Sequence, residues 1–281
     1  MLGHTLLRML AERKDFELFA SVRSLGKLPN LLNSKLIKKI LINVDANNFD
    51  SFFHKLAEVN PDVTINCIGI IKQSPLANDQ ITAIALNALF PHKLESACRS
   101  IGARLIHISS DCVFKGDKGN YTEEDMSDAN DLYGRTKFLG EVIKNNCITL
   151  RTSIIGHELN SSYGLVDWFL SQEGHVRGFT NAIFSGFPTV EIARIIADFV
   201  IPNGNMEGLY HLSSNPISKY DLLQLVARYY NKNITIEPYS DFYCDRSLNS
   251  TRFRTETGYS PPHWEKLIEA MHNEFMRTER R

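Results

Sequence analysis

Cysteine is scarce in this 281-residue chain and badly arranged for cross-linking: Cys67, Cys98, Cys112, Cys147 and Cys244 are odd in number, widely spaced and contain no CxxC pair. That argues against a disulfide framework and a cysteine zinc site, and it suits a reducing compartment. The 9 histidines, His4, His54, His92, His107, His157, His175, His211, His263 and His272, show no ligand spacing, so no metal site is expected. Charge excess is absent as well, with 31 basic against 32 acidic residues and a net charge of -1. Such a balance leaves no electrostatic footprint for nucleic acid or an anionic membrane surface. No run of about eighteen apolar residues occurs, and the first residues lack the basic-then-apolar order of a secretory signal. Internal repeats and low-complexity segments are missing too. What survives these exclusions is a soluble, cytoplasmic protein, long enough to bury a sizeable core, whose partner is a small molecule.

The apolar pattern then gives the fold class. An amphipathic helix over MLGHTLLRMLAERKD opens the chain. Strand candidates follow at FELFASV, KKILINVD, VTINCIGII, ARLIHIS and CITLRTS, with helices predicted over Phe49 to Glu58 and about Asp79 to Ser100. The strands are apolar almost without alternation, as expected when both faces are covered. Their spacing with helices predicts an α/β doubly wound parallel sheet of Rossmann type. From about Gly156 the alternation loosens. EGHVRGFTNAIFSGFPT reads as a loop, VEIARIIADFVI as a helix, GLYHLSS as a strand and SKYDLLQLVARYYN as a helix capped by Ser218, and a last helix starts near Trp264. The predicted division is a nucleotide-binding domain over 1–155, joined by a return segment near 183–215, and a smaller substrate lobe from 156–182 and 216–281.

The chemistry concentrates between Ile108 and Glu141, ISSDCVFKGDKGNYTEEDMSDANDLYGRTKFLGE. A buried strand ends in Ser109-Ser110, a polar loop follows, and a helix then carries Tyr133 and Lys137 at i and i+4 on one face. A nearby ammonium favours phenolate, so Lys137 is expected to draw the Tyr133 pKa toward the working pH and make the phenol a usable proton donor to a carbonyl oxygen. Ser110, at the carboxyl end of a parallel strand, can hydrogen-bond the same oxygen as charge develops on it. Alone, a Tyr-x-x-x-Lys pair is most often an ordinary helix-surface pair. Its position after a strand ending in two serines raises it above that.

ISSDCVF, YGRTKFLGE, LRTS, GFPTVEIARII and GLYHLSS, in this order and spacing across essentially the whole chain, resemble the extended short-chain dehydrogenases/reductases, and within them the dTDP-4-dehydrorhamnose reductases. The resemblance implies a Rossmann fold, NADPH as hydride donor with NADH as the alternative, and a nucleotide-linked 6-deoxy sugar with a ketone at ring position 4. It implies Tyr133 as acid, Lys137 as modulator and nicotinamide-ribose anchor, and Ser110 as the hydroxyl partner. Related sugar 4,6-dehydratases place an acidic pair after the hydroxyl residue. Here Asp111 is followed by Cys112, and a thiol is a poor substitute for the second carboxylate. A 4-epimerase stays open because it uses the same three residues, and so does a non-catalytic regulatory or binding subunit on the same scaffold. A homodimer is a candidate assembly.

Rossmann proteins begin with a strand and a glycine-rich turn that meets the pyrophosphate at a helix N-terminus. This chain opens MLGH, which resembles the last piece of that fingerprint with Gly3 as its third glycine. The expectation is therefore an N-terminally incomplete sheet, lacking its central strand and most of the glycine loop, with impaired cofactor binding if the chain does begin there. Arg23, after the second strand, is placed for the 2′-phosphate of NADP; no acid ends that strand to hold a free 2′-hydroxyl. Asp45 matches the family's adenine-side acid, and Ile68 and Gly69 the backbone that passes beside the cofactor. Asn87 resembles the family's helix Asn. For the substrate, Asp111, Trp168 and Arg246 are the candidates, although Ile154 stands where the family often has an aromatic residue and Ser247 where it has a proline after the arginine. A strand-end turn for Asp45, helix packing for Trp168 and an exposed tail for Arg246 are the competing readings.

Overall fold

The computed structural model describes residues 1–144, 146–159 and 161–279. The final two residues of the predicted substrate lobe lie outside them. In chain order the elements are α1 (Leu2–Ala11), β1 (Ala20–Ser21), α2 (Ser34–Ile37), β2 (Ile40–Leu41), α3 (Phe49–Val59), β3 (Val63–Asn66), α4 (Gln80–Ala83), α5 (Phe90–Ser100), β4 (Arg104–Ser110), α6 (Leu132–Leu139), β5 (Cys147–Thr152) and β6 (Ile154–Ile155). Then come α7 (Leu165–Ser171), β7 (His175–Phe179), β8 (Ala182–Phe184), β9 (Phe187–Pro188), α8 (Thr189–Ile195), β10 (Gly208–His211), β11 (Ile217–Ser218), α9 (Lys219–Tyr229), β12 (Thr235–Tyr239), β13 (Cys244–Asp245), α10 (Thr251–Thr257) and α11 (Trp264–Glu279).

The main sheet has the order β10-β5-β4-β3 with every neighbouring pair parallel, as the near-continuous apolar strands require. Every residue of β4 and β5 is buried. β1 and β2 form a separate parallel pair. The first two predicted strands shrink to two residues each, and the segments on either side of them run as coil. Among the described residues no strand joins β1 to β3. A cavity of about 680 Å³ separates them, with Ala20, Ser21 and Val22 on one side and Val63, Thr64 and Ile65 on the other.

α1 makes one of the few apolar links across this division. Leu2, Leu6 and Leu10 join the large core that also contains Ile106, Ile108, Ile148 and Leu150. Leu7 belongs to a small cluster with Leu28, Leu36 and Ile40.

The second half departs from expectation in one place. The stretch read as a loop holds β7, β8 and β9: β7 pairs with β12, β8 lies between β11 and β13, and β9 pairs with β6. These strands are short, and β7 alternates exposed and buried positions in HVRGF, so their apolar content is too low to stand out from a loop. The polar CDRSLNSTRFR stretch contributes β13 and α10 for the same reason. β10, by contrast, returns to the main sheet beside β5. Among the described residues no helix is long and apolar enough to cross a membrane.

Candidate active site

The carboxyl ends of β4 and β5 and the start of α6 meet at one place. Asp131 caps α6 by accepting the Gly134 amide at 2.9 Å, and its other oxygen takes the Lys72 ammonium at 2.7 Å. Gly134 is required by proximity: a Cβ there would lie 2.2 Å from the Cys112 carbonyl oxygen and 2.5 Å from the Ala129 Cβ. The residue following the tyrosine thus lets the helix rest directly on the loop that leaves β4. A Cβ at Gly140 would lie 1.9 Å from the Asn87 carbonyl oxygen, so the other end of α6 is pressed as tightly against the π-helical turn Ile84–Leu89. Turns of this kind concentrate at functional sites.

This docking brings Ser110, Tyr133 and Lys137 together. The Ser110 hydroxyl accepts the Cys112 amide at 3.1 Å, contacts Asp111 at 3.2 Å and shares a hydrogen bond with the Tyr133 phenol. Burial, then the neighbouring Cys112 and Asp111, raise the Tyr133 pKa. That reverses the expected direction. The Lys137 Nζ donates to the Ile108 carbonyl oxygen at 2.7 Å, and burial is the largest influence at the phenol. Tyr133 is therefore a neutral O–H at ordinary pH. Burial in turn lowers Lys137 to about 8, opposed by the charge of Glu141.

Asp111 is buried, and burial pushes its carboxyl up against the opposing pull of Arg246 and of hydrogen bonds with Cys112, Ser110 and Ser153. Burial and Asp111 push the Cys112 thiol up to about 12, so it stays protonated. Arg246, read from sequence as a substrate contact or an exposed tail, reaches this pocket: its Nε donates to the Phe114 carbonyl at 2.7 Å, and its charge acts on Asp111, Cys112 and Asp131.

Sequence reasoning missed the framework behind the triad. Glu141 accepts both the Arg151 Nε and Nη2, each at 2.7 Å, and the Ser109 hydroxyl at 2.7 Å. The Arg151 and Glu141 side chains are 3% and 6% exposed. Arg151 Nη1 donates to His211 Nε2 at 3.3 Å, and His211 Nδ1 donates to the Tyr121 carbonyl at 3.0 Å. Burial, and then Arg151, hold His211 down at about 3, so it is neutral, as this donor pattern requires. Tyr121 stacks on Phe114 at 4.1 Å and exchanges backbone hydrogen bonds with Ser247 and Asn249 at 2.8 and 2.7 Å. With the Asp245 amide donating to the Gly116 carbonyl at 2.7 Å, the chain is latched on both sides of Arg246. One signal was visible: Glu141 stands four residues after Lys137, where a helix extended past Leu139 would put both on one face.

The predicted cofactor residues divide into three groups. Gly69 lies over the triad: a Cβ on it would sit 3.1 Å from Asn87 Oδ1 and 4.0 Å from Lys137 Nζ. The Asn87 amide holds this loop by accepting the Ile70 N–H at 2.8 Å and donating to its carbonyl at 3.3 Å. Gly3, Arg23 and Ile68 line the 680 Å³ cavity, and a Cβ added to Gly3 would lie 3.5 Å from the Cys67 Cβ. Asp45 is brought to neither place; its carboxylate accepts the Asn47 amide at 2.9 Å in the turn before α3. Trp168 stands on α7, 39% exposed, apart from the triad. A side-chain-free backbone at Gly69 beside a buried cation fits the nicotinamide-ribose end of a dinucleotide. Among the described residues no cluster of three or more His, Cys, Asp or Glu side chains is placed to hold a metal ion.

Comparison with known proteins follows the same lines. The family profile described as "RmlD substrate binding domain" matches residues 1–277. Methionine adenosyltransferase 2 subunit beta of Rattus norvegicus is 28% identical over 203 residues, covering 65% of this chain. That match takes in 58% of the rat protein, so the chain spans less than two thirds of that relative's length. The dTDP-4-dehydrorhamnose reductase of Mycobacterium tuberculosis H37Rv is 39% identical over 85 residues, 28% of each chain. Among solved structures, the dTDP-4-dehydrorhamnose reductase of Bacillus anthracis in complex with NADP superposes with a TM-score of 0.75 at 21% identity, covering 91% of this chain and 98% of that one. At that identity the likeness is one of fold.

Proposed function

The chain belongs to the RmlD substrate binding domain family, and from that premise we propose that it catalyses the NADPH-dependent reduction of the 4-keto group of a nucleotide-linked 6-deoxy sugar in the cytoplasm, for surface polysaccharide precursors. The observation that carries this reading is the buried Ser110 beside a half-buried Tyr133, one helical turn from the buried Lys137. NADPH supplies the hydride when bound, and the residues placed to hold it are Gly69 and Lys137 at the nicotinamide ribose, with Gly3, Ile68 and Arg23 along the cavity. NADH is the alternative donor.

Tyr133, kept protonated by its enclosure, gives its proton to the carbonyl oxygen as that oxygen gains charge. Ser110 donates a second hydrogen bond to the same oxygen. Lys137, cationic below about pH 8, stabilises the phenolate left behind and anchors the ribose. Arg246 faces the substrate's anionic end, and Asp111 interacts with both the Arg246 charge and the Ser110 hydroxyl. Cys112 offers a protonated thiol where a dehydratase needs a second carboxylate, which supports reduction over elimination of water.

A screen of NADPH oxidation against nucleotide 4-keto-6-deoxy sugars, run at saturating cofactor, tests this; turnover with a dTDP-linked substrate is expected. The similarity to a methionine adenosyltransferase beta subunit favours one other reading, a binding subunit of a second enzyme. No NADPH consumption with any nucleotide keto sugar, together with stable binding to another enzyme, would replace the first reading by the second.

A further inference from the structure

Lys72 is a cation at the edge of the site that the reaction steps above leave unused. It lies on the loop after β3, three residues beyond Gly69, whose bare backbone overlies Lys137. This loop is fixed. The buried Asn87 side chain holds Ile70 by both its N–H and its C=O, and the Ser74 amide donates to the Ile71 carbonyl at 3.0 Å. The Ser74 hydroxyl then accepts the Leu76 amide at 3.2 Å, capping the turn Pro75–Asn78. The base of the Lys72 side chain is therefore set beside the triad. Its ammonium reaches 2.7 Å from Asp131, which caps α6 two residues before Tyr133. Lys72 thus links the loop over Lys137 to the start of the tyrosine helix.

Two observations separate this contact from an ordinary solvated pair. The Lys72 charge acts on Cys112 as well as on Asp131, and the Arg246 charge acts on the same two groups. Two cations therefore converge on one corner of the pocket. Asp111 also opposes Arg246, but its burial favours the neutral carboxyl and weakens that opposition. The second observation is exposure: the Lys72 and Asp131 side chains are 39% and 42% exposed. An ion pair so open to water contributes little, and Asp131 keeps its other oxygen on the Gly134 amide whether or not Lys72 stays. The ammonium is a point charge with three rotatable donors on a flexible stem, suited to moving from a carboxylate to a phosphate oxygen.

We propose that Lys72 is a second cation for the substrate's diphosphate, acting with Arg246: it rests on Asp131 in the free protein and moves to a phosphate oxygen when the nucleotide sugar enters. The proposal rests on the nucleotide-sugar reading given above. Two cations suit two phosphate groups, so the site favours a nucleoside diphosphate over a monophosphate. Asp131 sets the affinity, because it competes with the phosphate for the same ammonium.

The test is calorimetric binding of dTDP or UDP, whichever is tighter, and of its monophosphate, which needs no turnover. Lys72→Met keeps most of the arm and removes the charge. The diphosphate should then bind roughly 10-fold more weakly, the scale of one charge-assisted hydrogen bond, and the monophosphate no more than about 3-fold more weakly. Asp131→Asn retains a good helix cap and removes the competitor, so the diphosphate should bind about 3-fold more tightly. That gain should shrink in the double variant with Lys72→Met. Lys118→Met, which removes the ammonium paired with Asp125 on the polar loop, should leave binding as it is. Unchanged diphosphate binding in Lys72→Met, an equal loss for diphosphate and monophosphate, or an equal loss in Lys118→Met would each overturn the proposal. Binding that depends on Lys72, without NADPH oxidation on any nucleotide keto sugar, would support it and remove the assigned reduction alone. A parent chain that binds neither dTDP nor UDP would overturn both.

Discussion

The two sides of the parallel-sheet region are built to different standards. On the β4–α6–β5 side the strands are buried throughout, and the helix rests on bare backbone at Gly134 and Gly140. There Glu141 takes hydrogen bonds from Arg151 and Ser109. On the α1–β1–β2–β3 side the strands are two to four residues long and the sheet is divided by a cavity. The difference teaches where proton chemistry depends on the protein. An acid and its cation must be enclosed and oriented to within a fraction of an ångström, so their setting is interlocked. The opposite side depends on a continuous sheet, and the cavity interrupts it.

Four substitutions and one titration would break or sharpen that contrast. The largest effect is expected from Tyr133→Phe, which keeps the ring and removes the proton: turnover should fall by ~100 to 10,000-fold with an unchanged circular dichroism spectrum. A Phe variant as active as the parent removes Tyr133 from the acid role. Next is Arg151→Met, which leaves the buried Glu141 carboxylate unpaired. Urea unfolding should show a loss of about 3–5 kcal/mol, whereas Arg23→Ala on the other side, at an exposed position, should stay within about 0.5 kcal/mol. Equal costs at the two positions would dissolve the contrast.

The titration concerns Lys137. An amine whose pKa is lowered is cationic below that value and neutral above it, so turnover that needs the cation should be constant below about pH 8 and decline above it, up to ~10-fold per unit. Glu141 opposes the lowering, so Glu141→Gln should move the break to lower pH. A flat profile through this range would contradict the role. The smallest effect is the cofactor preference. Arg23→Ala should raise KM for NADPH roughly 10-fold, the scale of one charge-assisted hydrogen bond, while leaving KM for NADH nearly unchanged. An equal change for both would place Arg23 away from the 2′-phosphate.

Much of this was legible in the chain. Five ordered segments gave the fold class, and Ser110, Tyr133 and Lys137 stood out because their spacing survives reading as strand, loop and helix. The direction of the Tyr133 pKa did not, since helical spacing shows that a lysine is near but not that burial outweighs it at the phenol. The Glu141–Arg151–His211–Tyr121 chain was hidden because its members come from two strands and two connecting segments and their partnership exists only after packing. Asp45 was read both as an adenine-side acid and as a strand-end turn, and its carboxylate holds a local turn. β7, β8 and β9 were hidden because strands of two to five residues carry too little apolar signal, and β7 alternates in exposure as well.

The central claim is that the triad reduces a sugar ketone, and isotope transfer tests it most directly. NADPH deuterated at its transferable hydrogen is incubated with the protein and a dTDP-linked 4-keto-6-deoxy sugar, and the product is read by mass spectrometry and NMR. The account predicts one deuterium on ring carbon 4 of the new alcohol for each NADPH oxidised. Unlabelled product alcohol, or no product alcohol at all, would contradict it.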